Sequence, residues 1–281
     1  MRELNVNLIT EKVRELCMTS NYDLPKDVED KLKEGYEKEE SSFGKYSMEN
    51  VLDNVKIARE ENVAICQDTG LAVIFMEIGQ DVHLVGGDLA AAVDEGVRQG
   101  FTDGYLRKSA VDDPIFERKN TGDNTPALLY TDIVPGDKVK ITVVPKGGGA
   151  ENMSQMKMLK PAEGVEGVKK FVIESVVNAG GNPCPPVVVG VGVGGTIEKT
   201  ALLAKKALMR EAGKPNPNPL YAKLEQEILE EVNKSGVGPQ GLGGRFTAFA
   251  VHIDYFPAHI ASMPVVVNLN CHAARHKEAT L

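Results

Sequence analysis

The sequence predicts a mixed α/β or α+β domain, with a mixed β-sheet core, a helical N-terminal part over residues 1–62 and irregular loops gathered around one site. Two patterns carry that reading. The first third of the chain repeats apolar residues at helical spacing, whereas the rest sets short apolar runs between glycine- and proline-rich turns. No internal repeat or low-complexity tract divides the 281 residues, and the span 1–281 is expected to form one domain with a substantial buried core.

The helical part breaks at residues 21–25 and again at 41–45. Ser47 is expected to cap the next helix, in which Met48, Val51, Leu52, Val55 and Ala58 share one face. Residues 71–78 form a continuous apolar run, the pattern of a strand buried on both faces. Asp88 then caps a helix carrying Leu89, Val93 and Val97 on one side. Residues 107–126 are polar, contain two prolines and lack periodicity, which predicts a long ordered loop of a length often tied to function. Strands at 127–134 and 138–144 are predicted to pair as a hairpin through Pro135-Gly136-Asp137. The second runs into Lys146-Gly147-Gly148-Gly149-Ala150-Glu151-Asn152. Pro161 starts a helix with Val165, Val168, Val172 and Val176 toward the core, ended by Gly180-Gly181. A strand at 187–191, a glycine cluster, a helix at 196–212 and a proline connector at 214–219 follow. One more helix, marked by Leu224, Ile228 and Val232, precedes strands at 245–255 and 261–268.

With 42% hydrophobic and 26% charged residues, the composition is that of a globular protein. No apolar run approaches the roughly 20 residues of a membrane span, so no membrane is expected as a partner. The amino terminus lacks a secretory pattern, which places the chain in the cytoplasm. The net charge of −8 and the dispersed lysines disfavour nucleic acid as a partner.

Four cysteines in so long a chain make no disulfide framework. Cys17 follows Leu16 in a helical pattern and reads as a core residue. Cys66, Cys184 and Cys271 instead stand in the polar or proline-rich contexts Ile65-Cys66-Gln67-Asp68-Thr69-Gly70, Asn182-Pro183-Cys184-Pro185-Pro186 and Asn268-Leu269-Asn270-Cys271-His272. Together they point to one shared metal site. Three thiolates without a Cys-x-x-Cys pair are incomplete for structural zinc, and an iron–sulfur cubane with one iron open to substrate fits better. Taken singly, each cysteine is more often inert.

Other motifs are less decisive. Gly190-Val191-Gly192-Val193-Gly194-Gly195 matches a dinucleotide fingerprint, but the second strand ending in an acid is missing, and close backbone packing is the favoured explanation. The Gly147-Gly148-Gly149 loop can turn backbone N–H groups toward an anion, or serve only as a flexible turn. His259, twelve positions before Cys271, suits proton transfer, yet by residue type alone a core histidine is the better reading. Asp68 must lie near any metal held by Cys66, where a carboxylate can move a proton. Asp112-Asp113 reads as surface acid.

These motifs, in this order and along nearly the whole chain, resemble the iron–sulfur hydro-lyases, which include class I fumarases and L-tartrate dehydratases. The resemblance is to the α subunit of the two-subunit form, and it implies a separate β subunit in an α2β2 hetero-oligomer. It further implies a [4Fe–4S] cluster on Cys66, Cys184 and Cys271 and a small dicarboxylate substrate. Gln67, Arg107, Gly148 and Gly149 match substrate-binding positions, and Asp68 and His259 match catalytic ones. Ala150 departs from a serine found in many relatives, which leaves fine substrate preference open. Reversible hydration of fumarate to L-malate is the expected reaction and L-tartrate dehydration the alternative. A non-catalytic redox or sensor protein and a nucleotide-binding protein are the readings from other classes.

Overall fold

The apolar run after the first cysteine turn becomes the strand around which the first half of the chain is organised. In the computed structural model, which describes residues 1–281, the elements are β1 (Arg2–Asn5), α1 (Val6–Tyr22), α2 (Lys26–Lys38), α3 (Ser42–Glu61), β2 (Leu71–Gly79), β3 (Val82–Val85), α4 (Leu89–Asp103), β4 (Leu128–Val134), β5 (Val139–Lys146) and α5 (Gly148–Glu151). They continue as β6 (Gln155–Leu159), α6 (Gly164–Ala179), β7 (Val187–Gly194), α7 (Ile197–Ala207), α8 (Pro219–Asn233), β8 (Ala248–Phe256), β9 (Met263–Asn270) and β10 (Lys277–Thr280). The fold is mixed α+β with helices α1 to α3 at its N-terminal end. No helix is long and apolar enough to cross a membrane.

The chain divides into two compact units. The first comprises Met1–Pro25, Val55–Gly148 and Arg275–Leu281. Its main sheet has the order β10-β5-β2-β4, with β2 parallel to β4 and antiparallel to β5, and β1 pairs with β3 apart from it. Ala72, Ile74, Met76 and Ile78 of β2 join Val139, Ile141 and Val143 of β5 in a core that takes in Ile9, Val13 and Leu16 of α1 and Val93, Val97 and Phe101 of α4. Each of the larger of these side chains contributes about 1.5–3 kcal/mol when fully buried. Asp88 caps α4 as expected, its carboxylate accepting the Ala91 N–H at 2.8 Å.

Two expectations are corrected here. Strands β4 and β5 do not form a hairpin, because β2 lies between them. The Pro135-Gly136-Asp137 turn instead wraps the end of β2, and the Gly136 carbonyl accepts the Asp81 N–H at 3.0 Å. A strand buried on both faces needs partners on both edges, and that demand overrides the local turn signal. Ser47 is not a cap; α3 starts at Ser42, the Ser41 hydroxyl accepts the Gly44 N–H at 3.2 Å, and Ser47 is buried within the helix.

The second unit comprises Lys26–Asn54 and Gly149–Ala274, with the sheet order β6-β9-β7-β8. Along β7 valines and glycines alternate. Val187, Val189 and Val191 enter a core with Val168, Val172 and Val176 of α6 and Ile228 and Val232 of α8. The glycines meet the backbone of α7: a Cβ at Gly190 would lie 2.2 Å from the Ala204 carbonyl oxygen, and one at Gly192 2.0 Å from that of Thr200. Close packing thus accounts for the apparent dinucleotide fingerprint.

Glu39, 2% exposed, joins α2 to the loop before β8. Its carboxylate accepts N–H groups of Glu40 and Ser41 at 2.8 and 2.9 Å and of Arg245 and Phe246 at 2.9 Å each. Burial pushes its pKa up, but the backbone donors of Ser41, Arg245, Phe246 and Glu40 outweigh burial and hold it below the ordinary value. A depressed folded pKa adds stability above the unfolded value of about 4.3, and that stability is lost as pH falls through the folded value. Glu39→Gln should therefore cost about 1–3 kcal/mol at pH 7. Urea titrations of the two proteins should show the gap narrowing as the pH is lowered below 4.3 or so.

Candidate functional site

All three singled-out cysteines lie outside helices and strands, and none of the four cysteines is in a disulfide. Cys17 sits in the core of the first unit, where burial pushes its thiol up to about 12.

In the first unit the turn holding Cys66 enters β2. The Asp68 N–H donates to Cys66 Sγ at 3.4 Å, and the Cys66 thiol points to Gln67 Oε1 at the same distance. The Asp68 carboxylate is gripped by two backbone amides, with Gly70 N–H on Oδ1 at 3.1 Å and Gly148 N–H on Oδ2 at 2.8 Å. The Gly148 amide expected to face substrate is here engaged by Asp68. The Thr69 hydroxyl donates to the Arg107 carbonyl at 2.9 Å, which fixes that backbone beside the turn and leaves Arg107 exposed. Asn124, 1% exposed, ties the two together further: its Oδ1 accepts Ser109 and Ala110 N–H, and its Nδ2 donates to the Gly70 carbonyl. The loop at 107–126 is thus ordered, as its composition predicts.

In the second unit Cys184 precedes β7 and Cys271 follows β9. These strands are antiparallel neighbours with Val188 opposite Asn270, so the two cysteines emerge at the same end of the sheet. The His272 N–H donates to the Cys184 carbonyl at 3.2 Å, and His272 Nδ1 lies 3.1 Å from the same oxygen. Cys184 is exposed with φ 55°, a left-handed conformation that costs a residue with a Cβ about 1–2 kcal/mol. Gly149 stands beside the Asn182 carbonyl, two residues before Cys184. Behind it, Glu151 is held by Lys205 at 2.7 Å and by Asn268 Nδ2 at 2.8 Å.

Within the second unit His259 is not brought to Cys271. It is exposed ahead of β9, in a groove of about 510 Å³ with Thr196, Lys199, Phe256 and Ser262, and Cys271 follows the other end of that strand. Eight residues of strand, roughly 24 Å at about 3.4 Å per step, separate them. The extended strand carries the chain away between them. Arg275, by contrast, was not anticipated: its guanidinium is buried and donates to the Asp68 carbonyl at 2.6 Å. A lone arginine four residues after a cysteine carries no signal that only one partner far along the chain explains.

No group of three His, Cys, Asp or Glu side chains is arranged to hold a single metal ion. Each of the three cysteines, in its own unit, presents a soft thiol in a turn, the donor type an iron–sulfur cluster takes, and Cys66 already receives a backbone N–H at sulfur.

Comparison with known proteins decides the family. The family model described as fumarate hydratase (Fumerase) matches residues 10–280. The chain belongs to the iron–sulfur hydro-lyases. More closely, it is of the class I fumarase and tartrate dehydratase α-subunit type, a family that uses a [4Fe–4S] cluster. A Methanocaldococcus jannaschii protein provisionally named L(+)-tartrate dehydratase subunit alpha is 40% identical over 273 residues, 95% of each chain. The L(+)-tartrate dehydratase subunit alpha of Escherichia coli strain UTI89 is 38% identical over 279 residues, covering 98% of this chain and 91% of that one. The protein of the same name from Shigella boydii is 37% identical over 278 residues.

The thiol environments lead to a direct chemical expectation. At pH 8 a thiol with a pKa of about 12 is ionised in roughly one molecule in ten thousand, and Cys17 is fully buried besides. Iodoacetamide added to the metal-free native hydro-lyase chain should therefore label Cys66, Cys184 and Cys271. Peptide mass spectrometry should find Cys17 unlabelled until the chain is unfolded.

Proposed function

We propose that this chain is the α subunit of a two-subunit [4Fe–4S] hydro-lyase that removes water from L(+)-tartrate, with a separate β subunit completing an α2β2 enzyme in the reducing cytoplasm. What supports this substrate over fumarate is one observation: relatives that align along 91–95% of their own length carry the name of the L(+)-tartrate dehydratase α subunit. Fumarate hydration, the reaction first expected from the sequence, is the second reading and is favoured by the name of the family model.

In this reading Cys66, Cys184 and Cys271 hold the cluster. When bound, the cluster supplies Lewis acidity at the hydroxyl that leaves. The protein does the rest. Arg107, exposed beside the Cys66 turn, clamps a substrate carboxylate with its planar fork. Gln67 and the Gly149 backbone orient the polar groups of the acid. Asp68 or a group of the β subunit takes the proton from the carbon next to a carboxylate, while hydroxide leaves the neighbouring carbon. The two departures together make one water and a carbon–carbon double bond. From tartrate the product is an enol that becomes a keto acid; from malate it is fumarate. Asp68 accepts one N–H at each oxygen and keeps lone pairs with which to take that proton; if its bond to Gly148 is given up as its charge is neutralised, the released amide can serve the negative charge growing on the substrate carboxylate. His259, a strand's length from Cys271, is left out of this chain's own site.

Turnover of both acids by the reconstituted αβ enzyme tests the substrate. L(+)-tartrate should exceed L-malate in kcat/KM by on the order of tenfold or more, the discrimination expected when a pocket built to bond a hydroxyl meets an acid lacking it. The reverse order would establish the fumarase reading. Arg107→Lys should lower kcat/KM by about 10- to 100-fold, the cost of one charge-assisted fork, with the cluster spectrum intact. Unchanged kinetics would remove Arg107 from the site.

A further inference from the structure

We propose that Arg275 is a positioning residue that fixes the Cys66–Asp68 turn from the protein side and thereby aims the Asp68 carboxylate. Arg275 is 3% exposed, and a buried guanidinium is costly unless its donors are used. Nη2 donates to the Asp68 carbonyl at 2.6 Å and Nε to Asn21 Oδ1 at 3.1 Å. Asn21, itself 1% exposed, is anchored near the end of α1 by its own donation from Nδ2 to the Cys17 carbonyl at 2.9 Å. The Asn21 carbonyl accepts the Ile65 N–H at 2.9 Å. One planar group therefore reaches both sides of Cys66: through Asn21 it supports the residue before the cysteine, and directly it holds the residue two positions after.

The consequence for Asp68 follows from its bonding. Its N–H is on Cys66 Sγ, its carboxylate is on Gly70 and Gly148, and its carbonyl is on Arg275. That carbonyl belongs to the peptide linking Asp68 to Thr69. Without Nη2 this peptide loses the donor that holds it from the protein side, and the turn carrying the Asp68 Cα can shift, taking the carboxylate with it. Lysine cannot replace the fork, because one ammonium on a flexible stem does not hold the two acceptors in the same fixed plane. Arg275 also opens the segment Arg275–Leu281, by which the chain re-enters the first unit four residues after Cys271.

The experiment has two arms, and only the kinetic one rests on the hydro-lyase reading. In the first, hydrogen–deuterium exchange is followed on the full chain for wild type, Arg275→Met and Arg275→Lys. In Arg275→Met the amides of Ile65, Gly70 and Gly148 should exchange at least about tenfold faster, with peptides from α4, β5 and β7 unchanged. Arg275→Lys should show the same selectivity at smaller size, and it decides the matter if the methionine variant does not fold. Unchanged protection of those three amides, or an equal acceleration everywhere, overturns the proposal. In the second arm, the reconstituted αβ enzyme is compared per intact cluster. Arg275→Lys should lower kcat about tenfold or more, with KM within a factor of two or three and cluster content as in wild type, since aim rather than binding is lost. Wild-type kcat per cluster would overturn the proposal. A wild-type enzyme inactive on every dicarboxylate would sink the hydro-lyase reading while the exchange result stands.

Discussion

The register of β2 against β5 is the constraint on which the first unit's chemistry depends. Leu71 lies opposite Lys146, so the segments just beyond both strands, 66–70 and 147–148, must emerge at the same end of the sheet. Gly70 makes the turn possible: its φ is 75°, and a Cβ there would lie 2.6 Å from the Lys146 nitrogen. From this register follows the reach of the Asp68 carboxylate to the Gly148 N–H. A slip of one residue would turn Ile74 and Met76 out of the core and carry the two loops apart, so hydrophobic burial and site geometry are enforced together.

The second unit applies the same device with different strands. The start of β7 and the end of β9 are antiparallel neighbours, and Cys184 and Cys271 stand just outside them. In both units, then, the cysteines singled out for metal sit where adjacent antiparallel strands end, on backbone whose ladder is already fixed. Short bonds from flanking groups finish the placement: His272 on the Cys184 carbonyl, and Thr69 on that of Arg107. Loops are mobile by default, and these are restrained because their ends belong to rigid strands.

What could be read directly from the sequence was whatever depends on near neighbours. The strand β2, the Asp88 cap and the separation of Cys17 from the other cysteines each rest on a pattern within a few residues, and each is present. The hairpin through Pro135-Gly136-Asp137 was misread because turn chemistry reports a change of direction and not which strand lies alongside. Ser47 was misread as a cap because residues 41–45 were read as a break, whereas the Ser41 hydroxyl already accepts the Gly44 N–H and starts α3 at Ser42. Arg275 was invisible because its acceptors lie 207 and 254 residues away. For His259 the twelve positions to Cys271 become the full length of a strand, a distance that spacing alone does not convey.

The alternation of valine and glycine in β7 sets a boundary on how this family member can drift. Hydrogen is the only substituent that fits at Gly190 and Gly192, since the main chain of α7 fills the space. At both glycines the nearest atom is a backbone carbonyl oxygen, of Ala204 and of Thr200, which cannot turn aside as a side chain does. Strand and helix must therefore move apart together or not at all. The two thus form one block, and the loop carrying Cys184 leads into β7 from that fixed position.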